Sequence, residues 1–281
     1  MYNTIVLGVK GGENMDDLKI SGIEIRYERM GERESTRMDG LCHEKVLPWL
    51  SVAQAETGSY DIRLGKKTGS MRNTGEGGFF IAPSNVLQTI IHRSNKESGV
   101  MKIRWIFLDV VINGRHRPDQ ILDLPVVLGK EGKIKMNALF DELFSCEDIC
   151  DRYSTYYQII KLILSLGKRK RRTDNKAMAS VMDYISENYD KPITVKELSE
   201  IAYMSESNFY TVFKRQFSLS PLSYINHYRL SAAAELLLST DARISDISDE
   251  VGFSDPLYFS RMFKKTYSVS PREYRKINGN K

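Results

Sequence analysis

The sequence predicts an α+β chain in two parts, a strand-rich front half and an all-α last third. Three observations predict it. Seventeen of the 19 glycines precede residue 168, so the front is rich in turns and the back is not. Runs that alternate polar and apolar residues, the two-residue period of strands, lie between about residues 20 and 128. The last third contains itself twice, about fifty residues apart. A length of 281 residues fits two domains.

In chain order, the expected strands are Ile23–Tyr27, Tyr60–Leu64 closed by Gly65, Phe79–Pro83 after a glycine turn, and Met101–Leu108, which has one fully apolar face. Short strands between regular turn signals predict a small barrel or sandwich. Trp49, Trp105, Phe79 and Tyr60 suit an apolar pocket for a small ligand; ordinary core packing explains each equally well. His43, His92 and His116 are scattered with no His-x-His pair, so no metal site, cofactor or catalytic residue is expected. Residues 65–68 and 75–78 imitate phosphate loops, but the first lacks the upstream glycine and the second the third glycine and a following helix.

Two amphipathic helices follow, over 137–150 (Leu139, Phe140, Leu143, Phe144) and 152–166 (Tyr156, Ile160, Ile163, Leu166). Internal packing on the barrel is one reading of them. The basic run Lys168–Arg172 is either a solvated linker or a strip that touches DNA backbone. The expected domains are therefore 1–166 (barrel about 20–128, helix pair about 137–166), a linker at 167–176, and a helical domain at 177–281.

In the duplication, Leu198, Ala202, Ser205, Phe209, Phe213-Lys214 and Ser220-Pro221 with Tyr224 recur as Ile247, Val251, Ser254, Phe259, Phe263-Lys264 and Ser270-Pro271 with Tyr274. The offset is 49 up to the shared serine and 50 beyond it, so the second copy carries one extra residue near Asp255-Pro256. Each copy reads as two helices with a tight turn, about 194–218 and 244–268. Thr194 and Glu197 have capping-box spacing, Ser205 is placed as an N-cap, and Pro256 suits a first turn. Ser220-Pro221 starts a connecting helix to about Ser239, with Tyr224, Ile225, Tyr228, Ala232 and Leu236 as its stripe. About 18 residues make a rod of roughly 27 Å, suited to holding two units about one DNA turn, roughly 34 Å, apart.

Two short helices so joined describe a helix-turn-helix, whose second helix enters the major groove. The outward residues suit such a role. They are Ser207, Asn208, Tyr210, Thr211, Lys214 and Arg215 in the first copy, and Leu257, Tyr258, Ser260, Arg261, Lys264 and Lys265 in the second. Arginine forks onto guanine, hydroxyls and amides reach other base edges, and lysines meet phosphate. A plain helix hairpin with a solvated basic face is the competing reading. Charge agrees with the first: residues 168–281 hold 19 Lys and Arg against 14 Asp and Glu, while the rest balances at 22 and 22.

These residues resemble the DNA-binding domain of the AraC/XylS family of bacterial transcription regulators over about 177–277, most specifically at 251–265 and 270–275. The resemblance implies seven helices with two helix-turn-helix units joined by a long one, and double-stranded DNA and RNA polymerase as partners. It further implies a front cupin-like barrel that senses a small effector, and a homodimer in which the helix pair at about 137–166 packs against its copy. By position, Ser207, Tyr210, Thr211, Leu257, Ser260 and Arg261 fall at its DNA-contacting places. Departures are Ser199 and Ser248 where alanine is usual, Ser218 and Ser268 where glycine closes each recognition helix, and Arg243 at a capping place.

Cys42, Cys146 and Cys150 form neither a disulfide framework nor a CxxC pair, and the apolar runs at 5–9 and 156–166 are too short for a signal core or a membrane span. The expectation is a cytoplasmic, effector-controlled transcription regulator, an activator, with no enzymatic activity. The alternatives are a cupin-type enzyme tethered to DNA by the helices, and an architectural DNA binder without sequence preference.

Overall fold

The computed structural model describes residues 4–5, 20–65, 69–114, 116–170 and 176–278. The expectations for the apolar run at 5–9, the phosphate-loop lookalike at 66–68 and the linker at 171–175 lie largely outside the described residues. The strands are β1 (Thr4–Ile5), β2 (Ile23–Ser35), β3 (Cys42–Val46), β4 (Leu50–Thr57), β5 (Ser59–Leu64), β6 (Arg72–Asn73), β7 (Phe79–Ala82), β8 (Leu87–Arg93) and β9 (Met101–Ile112), then β10 (Leu122–Asp123) and β11 (Lys168–Arg169). The helices are α1 (Pro118–Ile121), α2 (Lys130–Ser145), α3 (Ile149–Leu166), α4 (Lys176–Asn188), α5 (Val195–Ile201), α6 (Glu206–Phe217), α7 (Pro221–Ser239), α8 (Ile244–Glu250), α9 (Pro256–Tyr267) and α10 (Pro271–Asn278).

The front half is two antiparallel sheets, ordered β1-β2-β9-β4-β7 and β3-β8-β5-β6. Among the described residues they do not close into a hydrogen-bonded cylinder, which corrects the expected barrel. The reason is what occupies the edges: the outer edge of β7 bonds to residues 126–128, with a bridge from Phe80 to Val127, and α7 and α9 pack on the edge strand β3. Alternation sorts the side chains. On β9, Ile106, Leu108 and Val110 face the helices, whereas Ile103, Trp105 and Phe107 face the second sheet.

The helix pair packs internally. Phe140, Leu143, Tyr156, Ile160 and Ile163 share one core with Val52, Phe79, Ile106 and Leu108 of the sheet. The first helix runs from Lys130 to Ser145 instead of 137–150. Gly132 lies within this helix, where a Cβ would meet Leu166 and Leu128 at 3.6 and 3.7 Å. Part of the expected linker is also ordered, because Lys168 and Arg169 pair with Asp123 and Leu122.

Candidate nucleic-acid interface

The back third comprises seven helices among the described residues, α4 to α10. Its local structure follows the capping chemistry. Thr194 and Glu197 form the reciprocal box at α5: Glu197 N donates to the Thr194 hydroxyl and Thr194 N donates to the Glu197 carboxylate, at 3.2 and 2.8 Å. Ser205 caps α6. In the second copy the cap is the extra residue itself: Asp255 accepts from Leu257 N at 2.8 Å, and Pro256 opens α9. Arg243 caps α8 without a side-chain bond. Ser218 and Ser268 both end their helices in left-handed backbone, φ 65°, a conformation that glycine adopts with less strain.

Each unit has its own core. Phe209, Phe213 and Phe217 pack with Leu198, Ala202, Tyr224 and Tyr228; Phe259, Phe263 and Tyr267 pack with Ile247, Val251, Leu230 and Leu237. The rod α7 spans 19 residues and belongs to both. Its second half buries Leu230, Ala233, Ala234 and Leu237 rather than the expected Ala232 and Leu236, which are only partly covered. The helix therefore turns a different face to the second unit than to the first, and one continuous stripe was the wrong pattern.

With those aromatics turned inward, the other face of each second helix is open. Ser207, Asn208, Tyr210, Thr211, Lys214 and Arg215 are exposed on α6. Leu257, Tyr258, Arg261, Lys264 and Lys265 are exposed on α9, and Ser260 is half-buried. Thr211 donates its hydroxyl to the Ser207 carbonyl at 3.0 Å, and Lys214 lies 6.0 Å over the Tyr210 ring. Tyr203, which no sequence pattern singles out, is 94% exposed in the turn before α6.

The structure also holds what the sequence did not bring together: a cavity of about 1040 Å³ between the two sheets and the helical third. Trp105, Phe107, Tyr60 and Lys45 line it from the front, and Ser231, Glu235, Tyr267 and Tyr274 from α7, α9 and α10. Of the four aromatics expected at a pocket, Trp105 and Tyr60 are there. Phe79 instead packs on Phe140 in the helix-side core, and Trp49 stacks on Tyr27 at 4.3 Å. His43 and His92, distant in sequence, lie 5.2 Å apart across β3 and β8, with Tyr267 6.0 Å from His43. Burial holds both imidazoles below their ordinary range, His92 at about 4. Burial likewise lowers the Lys45 ammonium to about 8. Among the described residues no group of three or more His, Cys, Asp or Glu is placed to hold a metal ion, and no helix is long and apolar enough to cross a membrane.

The two parts are bonded as well as packed. Ser231 donates to the Val46 carbonyl at 2.7 Å, Ser268 to the Cys42 carbonyl at 2.6 Å, and Tyr224 to Asn85 at 2.8 Å. Arg29 pairs with Glu235, and Val46 and Leu87 complete the core of the first unit.

Residues 198–277 match a family described as a helix-turn-helix domain. The chain is 39% identical over 101 residues to the lactose operon transcription activator of Staphylococcus xylosus, covering 36% of each. It is 32% identical over 146 residues to the arabinose operon regulatory protein of Salmonella typhimurium, covering 49% of this chain and 52% of that one. The chain thus spans between about a third and half of the length of these curated relatives. Among solved structures, ToxT from Vibrio cholerae aligns over 90% of this chain and 99% of that one, with TM-score 0.68 and 12% identity, a likeness of fold. A ToxT structure with bound unsaturated fatty acid aligns with TM-score 0.64 and 14% identity over 90% and 98%.

Proposed function

We propose that this chain, whose C-terminal third is an AraC-type helix-turn-helix domain, is a sequence-specific transcription activator controlled by a small effector bound in the front cavity. It is a regulator and not an enzyme, in line with the transcriptional roles of its named relatives. One observation carries the reading: two separately cored units present exposed polar faces on α6 and α9, tied to opposite halves of one helix. A rod of 19 residues is roughly 28 Å long, which suits two successive major-groove segments on one face of a duplex.

In this reading Arg261, Ser260 and Leu257, with Ser207, Asn208, Tyr210 and Thr211, meet bases or nearby phosphates. Lys214, Arg215, Lys264 and Lys265 meet phosphates, and Tyr258, exposed on α9, lies on the same DNA-facing surface. RNA polymerase is the partner in activation, the protein works as a homodimer in the cytoplasm, and residues 1–166 sense while 177–281 bind DNA. Effector control follows from the shared cavity. A ligand there touches both parts, so it favours one arrangement of them and shifts the population accordingly. The fatty-acid complex of ToxT, a protein of the same fold, supports ligand binding in this architecture.

The test is selection of bound duplexes from a random pool by purified full-length protein. The expected result is a bipartite motif with two half-sites about one helical turn apart. Recovery of unenriched sequences at every salt concentration overturns the reading and favours an architectural binder.

A further inference from the structure

The outward faces of α6 and α9 carry different chemistry at matched positions. Aligned through their shared aromatics, Phe209 with Phe259 and Phe213 with Phe263, position 207 corresponds to 257 and position 211 to 261. The first copy has Ser207 and Thr211 there; the second has Leu257 and Arg261. All four are exposed.

At 75%, Leu257 is the most exposed of the exposed leucines and isoleucines among the described residues. It is also held in place. Pro256 opens α9, and Leu257 N donates to Asp255 Oδ1 at 2.8 Å, so the side chain stands on a capped first turn. Its apolar neighbours turn elsewhere: Phe259 is buried, and the Tyr258 ring lies 6.1 Å from that of Phe253. One turn along, Arg261 makes no ion pair or hydrogen bond among the described residues.

A single exposed leucine ordinarily needs no explanation. This one stands in the first turn of the helix proposed to enter the major groove. The base edges there present donors, acceptors and one apolar substituent, the C5 methyl of thymine. Leucine gains nothing from a donor or an acceptor, so among the four bases it selects that methyl. Arg261 has the fork that fits O6 and N7 of guanine. Four residues of helix rise about 6 Å and base pairs about 3.4 Å, which sets the two bases one or two steps apart. The first copy lacks this pair: Ser207 has no apolar end, and the Thr211 hydroxyl is committed to the Ser207 carbonyl at 3.0 Å.

We propose that Leu257 is a specificity-determining residue that reads the C5 methyl of a thymine one or two base pairs from the guanine met by Arg261. The proposal rests on α9 entering the major groove and names the base that it meets. It also makes the target directional. The half-site under α9 holds a thymine and guanine element with no counterpart under α6, so the duplex takes one orientation on the protein.

The test uses full-length protein and the duplex motif that it selects from a random pool. Each thymine of the half-site in which Arg261→Ala relaxes the preference is replaced in turn by uracil, which keeps every donor and acceptor and lacks the methyl. Uracil at one position is expected to weaken native binding about threefold to tenfold, the worth of one buried methyl group or somewhat more. The same replacement is expected to leave Leu257→Ala unaffected, because both changes remove one and the same contact. Ser207→Ala is expected to keep the uracil effect in full. The melting temperature of Leu257→Ala is expected to match the native one, since the side chain is exposed. A half-site without thymine, uracil without effect at every thymine, no position relaxed by Arg261→Ala, or a Leu257→Ala variant that keeps the whole uracil penalty overturns the proposal and leaves the DNA reading standing. Failure to select any motif overturns both.

Discussion

Tyr203 and Gly252 occupy the same place in the two copies, and both adopt left-handed backbone, at φ 54° and 85°. Only the glycine is required there by contact: a Cβ at Gly252 would lie 2.5 Å from the Asp190 carbonyl oxygen. Gly252→Ala is expected to cost about 1–3 kcal/mol. Tyr203→Gly, which removes a side chain that is 94% exposed, is expected to stabilise by up to ~1 kcal/mol. Urea unfolding of the two variants checks both signs, and a stable Gly252→Ala would mean that the Asp190 loop moves aside. The buried histidines make a second prediction at this scale. His92 titrates near 4 in the folded protein against an ordinary value of 6.5, so the unfolded chain takes up the proton first. Stability is therefore expected to fall as pH falls from 6.5 toward about 4 and to be untouched by this group above that window. The difference between urea midpoints at neutral pH and at the acid end of the window should shrink in His92→Phe; an unchanged difference assigns the acid sensitivity elsewhere.

Among the elements, α6 and α9 present the exposed polar faces proposed to meet DNA, and their two kinds of polar residue separate experimentally. Arg261→Ala is expected to cost roughly 1–3 kcal/mol of binding and to relax preference at one base pair. Neutralising Lys214 or Lys264 should weaken binding to all duplexes alike and lower the salt slope by about one. Footprints and salt titrations distinguish the two, and an Arg261→Ala variant with native affinity and motif removes Arg261 as a base reader. The elements themselves were largely legible in the sequence, because the signals were local: the capping box at Thr194, Ser205, Ser220-Pro221 and Pro256 each depend on a few neighbouring residues. The misreadings have equally physical causes. The expected helix at 137–150 starts seven residues late, because the first turns of α2 include Gly132, a poor helix former that sits beside Leu166. The strands β3, β4 and β8 lack clean alternation, because their outward faces are covered by other elements instead of water.

For the whole molecule, the front half and the helical third share a wall. Ser231, Ser268 and Tyr224 are bonded to backbone or side chain of the front half, and residues of both parts surround one cavity. Coupling between an occupied cavity and the spacing of α6 and α9 has a direct physical route here, through β3 into α7 and α9. By itself, the chain's order of residues determined the duplicated helical unit, its caps, its inward aromatics and its outward polar faces, since those depend on helical period and short-range hydrogen bonding. Only the tertiary structure decided that the sheets stay open, that the helix pair packs its apolar face on the sheet, and that Lys45 and Trp105 of the front half line one cavity with Ser231 and Tyr267 of the helical third. Those outcomes depend on strand register and on contacts between residues far apart in the chain, which no local pattern encodes.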